Sequence, residues 1–184
     1  VIRRTYRREI VDTLATALVN TGVPDDVIVR GSVDGLMLAY QLPSGAIDGI
    51  VPRGFVGLEP GEYFAVIDAV LSSPEPARQT GDESVPRRYT QTYDLMLMLA
   101  QKQGLAEVSV LKAQDALTEK LLAAMDATFK TFEAAPGSIE GVKFLSAEWT
   151  GWGSPFTELL TELQATRVLH AAVTGQLKLV EVTR

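Results

Sequence analysis

Residues Arg88 to Leu99, RYTQTYDLMLML, constrain the fold of this chain more than any other stretch. They alternate with a period of two. Tyr89, Gln91, Tyr93, Leu95, Leu97 and Leu99 therefore share one face of a strand, and Arg88, Thr90, Thr92, Asp94, Met96 and Met98 share the other. The first half of the run is polar and the second half is apolar on both faces, so the strand enters a core or an interface midway along its length. A second strand is expected over Glu62–Leu71, with Tyr63, Ala65, Ile67 and Leu71 opposite Phe64, Val66 and Val70. Both of its faces are apolar, which marks a central strand or one shared between subunits. Its aromatic and β-branched content favours strand over helix.

The partners for these strands follow from the same periodicities. Tyr6, Ile10, Leu14, Ala17 and Leu18 recur at helical spacing from about Thr5 to Asn20, and Gly22-Val23-Pro24 stops that helix. A longer helix covers about Ser109 to Glu133, with Ala113, Leu117, Leu121, Ala124, Met125, Thr128, Phe129 and Phe132 in its stripe and Pro136-Gly137 after its end. Strand signals return at Val142–Glu148, Leu163–Val173 and Leu177–Val182, the last two joined by a tight hairpin at Thr174-Gly175. Leu159–Ala172 is ambiguous, since Leu159, Leu160 and Leu163 also fit a short helix. Two stretches are irregular. Glycines and prolines punctuate residues 27–58, giving short strands or a Gly/Pro-rich β arm, and Ser72–Pro86, SSPEPARQTGDESVP, reads as a long surface loop.

The expected fold is therefore α+β over a single domain of residues 1–184. It has a mainly antiparallel sheet with the N-terminal helix and the long helix packed on one face, plus the β arm. Length and composition agree. With 184 residues, 46% of them hydrophobic and 22% charged, the chain can bury a core without disulfide or metal. No apolar run approaches the roughly 18 residues that span a bilayer, and the N-terminal arginines precede no signal-peptide core, so a soluble, cytoplasmically made protein is expected.

Chemistry is harder to find. The chain has no cysteine and one histidine, which removes thiolate and multi-histidine metal sites and cysteine nucleophiles together. His170 falls in an expected strand and reads as an ordinary strand residue. No phosphate-cradling loop occurs, and Gly151-Trp152-Gly153 lacks the third glycine and following helix of a dinucleotide site. No Gly-x-Ser-x-Gly elbow is present. The adjacent acids Asp25-Asp26 and Asp82-Glu83 lie in expected loops, where neighbours diverge into solvent. No catalytic residue, cofactor or metal is expected; the chain reads as a non-enzyme that binds other proteins.

Charge sharpens that reading. The net charge is −6, yet Arg3, Arg4, Arg7 and Arg8 concentrate positive charge in the first eight residues. Setting those four aside leaves 13 of the 17 basic residues against 23 acidic ones, a balance of −10. Such a body repels nucleic acid, while the basic tip suits an acidic partner surface or a phosphate, or is simply a solvated first turn. Trp149 and Trp152 are candidate interface anchors, because indoles are enriched where binding energy concentrates; packing at a core or sheet edge is the alternative. Phe55, in the arm, is a further candidate: with Leu36, Met37, Leu38, Ile47 and Ile50 it would be awkward on a monomer surface unless a second core layer covers it.

The order of elements resembles the tail-terminator (tail-completion) family of long-tailed bacteriophages. The matching segments are the helix RREIVDTLATAL, the strand EYFAVIDAVL before a loop, the alternating strand YTQTYDLMLMLAQ, the long helix LKAQDALTEKLLAAMDATF and the closing strands. The resemblance spans most of the chain and rests on element order and character. The Gly/Pro-rich arm departs from the smallest family members, which leaves another neck, connector or head-completion protein, or a non-phage adaptor domain, as the alternative. The resemblance implies a homo-oligomeric ring, expected to be a hexamer, that caps the tail-tube protein and meets a neck or connector protein. DNA would pass through the lumen only as cargo, no membrane would be involved, and the protein would reside in the virion after assembly in the host cytoplasm. A heterologous contact repeated around an axis closes such a ring and covers edges a monomer would expose.

Overall fold

The alternating run has sheet partners on both sides from Tyr89 onward. In a computed structural model of the chain, which describes residues 5–31, 58–76, 88–103, 110–134, 142–152 and 168–182, it forms strand β3, Arg88–Lys102. On one side β3 pairs antiparallel with β2, Tyr63–Pro76. On the other it pairs antiparallel with β5, Val168–Val182, in a register running from Arg88↔Val182 to Lys102↔Val168. Strand β4, Val142–Trp152, flanks β5, and the three-residue β1, Ile28–Arg30, runs parallel to β2. The sheet order is β1-β2-β3-β5-β4, a mixed and mainly antiparallel sheet in an α+β fold.

Two helices lie on one face of this sheet. Helix α1, Arg7–Val19, buries Ile10, Val11, Leu14, Ala15, Ala17 and Leu18. Helix α2, Val110–Ala134, buries Leu117, Leu121, Ala124, Met125, Phe129 and Phe132. Both stripes meet Ala65, Ile67 and Ala69 of β2, Leu95, Leu97 and Leu99 of β3, and Val173, Leu177 and Leu179 of β5 in one cluster. Each strand contributes its odd-numbered residues, as period two requires. A fully buried leucine such as Leu97 stabilises the fold by about 1.5–3 kcal/mol, so this layer dominates the energetics.

Polar contacts fix where α1 sits. At its start the backbone N–H of Tyr6 donates to the Tyr93 hydroxyl, 2.8 Å away, and that hydroxyl donates to Gln91 Oε1. At its end Lys120 of α2 donates to the Thr21 carbonyl, placing a cation where the helix dipole is negative. Gly22 has φ +93°, a left-handed conformation that lets the chain turn directly out of the helix.

The opposite sheet face changes character along the strands. Phe64, Val66, Met98, Ala100 and Ala172 are buried at one end, outside the helix-side cluster. Toward the other end Asp94 is exposed and accepts a hydrogen bond from Gln176 at 2.9 Å. The expectation that β3 enters a core only midway holds in part: its second half is largely buried on both faces, but Gln91, Thr92 and Tyr93 of the polar half are buried as well.

Two expectations are overturned. The stretch beginning at Ser72 is not loop from its start: β2 continues to Pro76, paired with β3 as far as Tyr89. A bulge at Ser72 absorbs one residue between the pairs Leu71↔Tyr93 and Ser73↔Thr92, and Ser72 Oγ donates to the Thr92 carbonyl. The bulge lets pairing resume through a segment whose prolines read as a breaker. Nor is there a hairpin at Thr174-Gly175. Strand β5 runs unbroken through both residues, with Gly175 buried between Leu95 of β3 and Trp149 of β4. A glycine paired with strands on both sides is part of the ladder and makes no turn. What reads as two strands is thus one from Val168 onward, and residues 153–167 lie outside the described residues, as do 32–57 of the arm and 77–87 of the loop.

Candidate interaction surface

The expected interface residues divide sharply by what the fold does with them. Arg7, in the first turn of α1, is 48% exposed along its side chain, yet its Nη2 donates to Asp68 Oδ1 at 2.7 Å and to the Gly31 carbonyl at 3.2 Å. The same Asp68 oxygen accepts the Ala69 backbone N–H at 2.7 Å. Asp68 is only 9% exposed, so its charge is compensated mainly by Arg7. Arg7 therefore holds the sheet edge to α1. Arg8, one residue on, points into solvent at 91% exposure with Asp12 at 3.7 Å, a spacing and exposure at which an ion pair is worth little. Among the described residues, Arg8 is the arginine of the tip whose side chain stands out into solvent.

Arg3, Arg4 and Phe55 lie outside the described residues. Trp149 and Trp152 occupy the last turn of pairing in β4, in register with Gly175 and Val173, and their side chains are likewise outside what is described. A bulge between Trp149 and Gly151 separates them.

Beside the Arg8–Asp12 pair runs a shallow groove of about 350 Å³ between α1 and α2, bordered by Asp12, Thr13, Thr16, Asn20, Ala127 and Thr131. Its threonine hydroxyls donate back into their own helices: Thr13 to Glu9, Thr16 to Asp12 and Thr131 to Ala127. Arg30 closes the neighbouring surface, 2.6 Å from Asp25 and 3.9 Å from Asp12, so Asp25 is engaged in an ion pair.

His170 lies in β5, across from Ala100. Burial lowers its pKa below the ordinary value of 6.5, which keeps the imidazole neutral at neutral pH. Among the described residues no group of three or more His, Asp or Glu side chains is placed to hold a metal ion. Among them, too, no helix is long and apolar enough to cross a membrane.

Sequence reasoning missed Asp68 and Tyr93 as organising residues. The signal for Asp68 is present: it is the one charge inside the apolar run YFAVIDAVL, and a charge in such a run needs a partner. For Tyr93 there is no local signal, because its partner Tyr6 is 87 residues away.

No protein-family model matches this chain, and no curated protein matches it significantly in sequence.

Proposed function

We propose that the chain is a structural subunit that works by binding copies of itself and other proteins, and specifically a tail-terminator subunit of a long-tailed bacteriophage. In this reading it forms a ring, a hexamer by the family's pattern, on the end of the tail tube and offers the neck or connector protein a docking surface. It resides in the virion, and DNA passes through its lumen. The observation that carries the reading is the second face of the sheet. Its rows pass from buried Phe64, Val66 and Met98 to a polar end, and Val70, 50% exposed, stands on the same face. Phe64, Val66 and Met98 are already covered within the chain, so the surface this face has to give a neighbouring subunit lies at its exposed end, around Val70 and Asp94. The acidic balance of the body suits a channel through which DNA slides without adhering, and exposed Arg8 suits contact with an acidic neighbouring ring.

Negative-stain microscopy and light scattering of the purified chain, alone and with the tail-tube protein of the same genome, test this. Rings of uniform diameter that cap tube ends are the expected result. A monomer at high concentration with tube protein present would overturn it, and capture of host proteins by such a monomer would favour an adaptor domain.

A further inference from the structure

The outer edge of β2 carries an arrangement that the binding role does not require. Beyond Arg30, where β1 ends, β2 continues for nine residues from Asp68 to Pro76. Among the described residues no strand pairs with this stretch on its outer side, and a strand edge of that length is a template for pairing with another chain.

The hydrogen-bond parity of this edge can be worked out. The Gly31 N–H donates to the Ile67 carbonyl at 2.7 Å, so Ile67 turns its peptide groups outward. In an antiparallel pair the two sides alternate residue by residue, which makes Ala69 and Leu71 outward as well. The bulge at Ser72 resets the alternation: Ser73 pairs with Thr92 and Glu75 with Thr90, as even-numbered β3 residues turn toward β2. The outward positions past the bulge are then Pro74 and Pro76.

Each outward position has a distinct fate. The Ala69 N–H is taken by the Asp68 carboxylate, which is itself held by Arg7, and the Arg7 head also occupies the Gly31 carbonyl where β1 would have continued. Pro74 and Pro76 have no N–H to offer. Among the described residues, Leu71 is the one regular outward position that keeps a donor. A row that should present a donor at every second residue presents one.

We infer that Asp68 with Arg7, the Ser72 bulge, and Pro74 with Pro76 form an edge-stop that ends β1–β2 pairing at Arg30 and bars a second copy of this chain from adding a strand to β2. Assembly of the protein then uses sheet faces, helices or the β4 side, and strand addition at β2 is its suppressed failure mode. The inference stands independently of the phage reading, because it concerns a contact that is prevented.

Two measurements test it. The variant Asp68→Val/Pro74→Thr/Pro76→Thr restores outward donors and removes the charge. With native-like far-UV circular dichroism it is expected to grow, with rising concentration, into thioflavin-positive species larger than any the parent forms. A folded variant that keeps the parent's size distribution at every concentration overturns the edge-stop. The second measurement uses the unaltered chain and so does not depend on the variant's folding. The Ala69 amide should exchange with solvent hydrogen at least about tenfold more slowly than an unstructured amide, as a bond to a carboxylate requires. Exchange of Ala69 at the unstructured rate overturns the role given to Asp68.

Discussion

The Tyr93 hydroxyl accepts the N–H of Tyr6, a donor at the helix start that α1 cannot satisfy from within, and passes its own proton toward Gln91. Tyr6 and Tyr93 are almost wholly buried, so these bonds form away from competing water. Tyr93→Phe keeps the ring and removes both bonds; a loss of about 1–3 kcal/mol in urea unfolding is expected, with no change in far-UV circular dichroism. His170 gives a second expectation at this scale. Its folded-state pKa lies below the ordinary value because burial disfavours the imidazolium. Above about pH 6.5 both folded and unfolded states hold it neutral, and it contributes nothing to the pH dependence. As pH falls from there toward the folded-state pKa, the unfolded chain takes up a proton that the folded chain refuses, so stability is lost. The Hε1 resonance of His170 should titrate below 6.5, and His170→Gln should lose less stability than the parent between pH 7 and 5.

At the scale of elements, β5 is where the reading of residues and the structure part most clearly. Glycine next to threonine between two apolar runs has the look of a two-residue turn, and nothing nearby distinguishes it from one. The decision comes from β3 and β4, which pair with β5 on either side of Gly175. Amides of Thr174, Gly175 and Gln176 are therefore expected to exchange as slowly as those of Val173 and Leu177. Fast exchange confined to those three would restore the hairpin. The same lesson applies at Ser72, where one bulged residue lets the strand continue into a Pro-rich stretch. By contrast α1, α2 and β3 were legible almost to their ends, because each carries a long stripe of one period that local sequence alone specifies.

For the molecule as a whole, α1 and α2 share one cluster with β2, β3 and β5, and Lys120 ties the end of α1 to α2. Neither helix has a separate core to melt into. Leu14→Ala in α1 and Leu121→Ala in α2, both fully buried, should each cost about 2–5 kcal/mol and lower the same thermal transition, read by near-UV circular dichroism. Two separate transitions would show that the helices belong to independent units. Of the candidate interface, Arg8 was legible as an exposed charge, whereas the commitment of Arg7 was not. Both arginines sit in the same RREI run, and only the position of Asp68 at the sheet edge separates them.

Local patterning is enough to specify an α+β chain, a strand over Arg88–Leu99 that is apolar on both faces in its second half, and two amphipathic helices to cover a sheet. Those properties are written in periods of two and 3.6 residues, which are local. Long-range contacts are needed to give β3 partners along both sides, to place Gly175 inside a strand, and to commit Arg7 to Asp68 while Arg8 faces solvent. Each of those depends on which distant backbone lies alongside, and a pairing between residues 61 or 87 positions apart leaves no trace in the spacing of either segment.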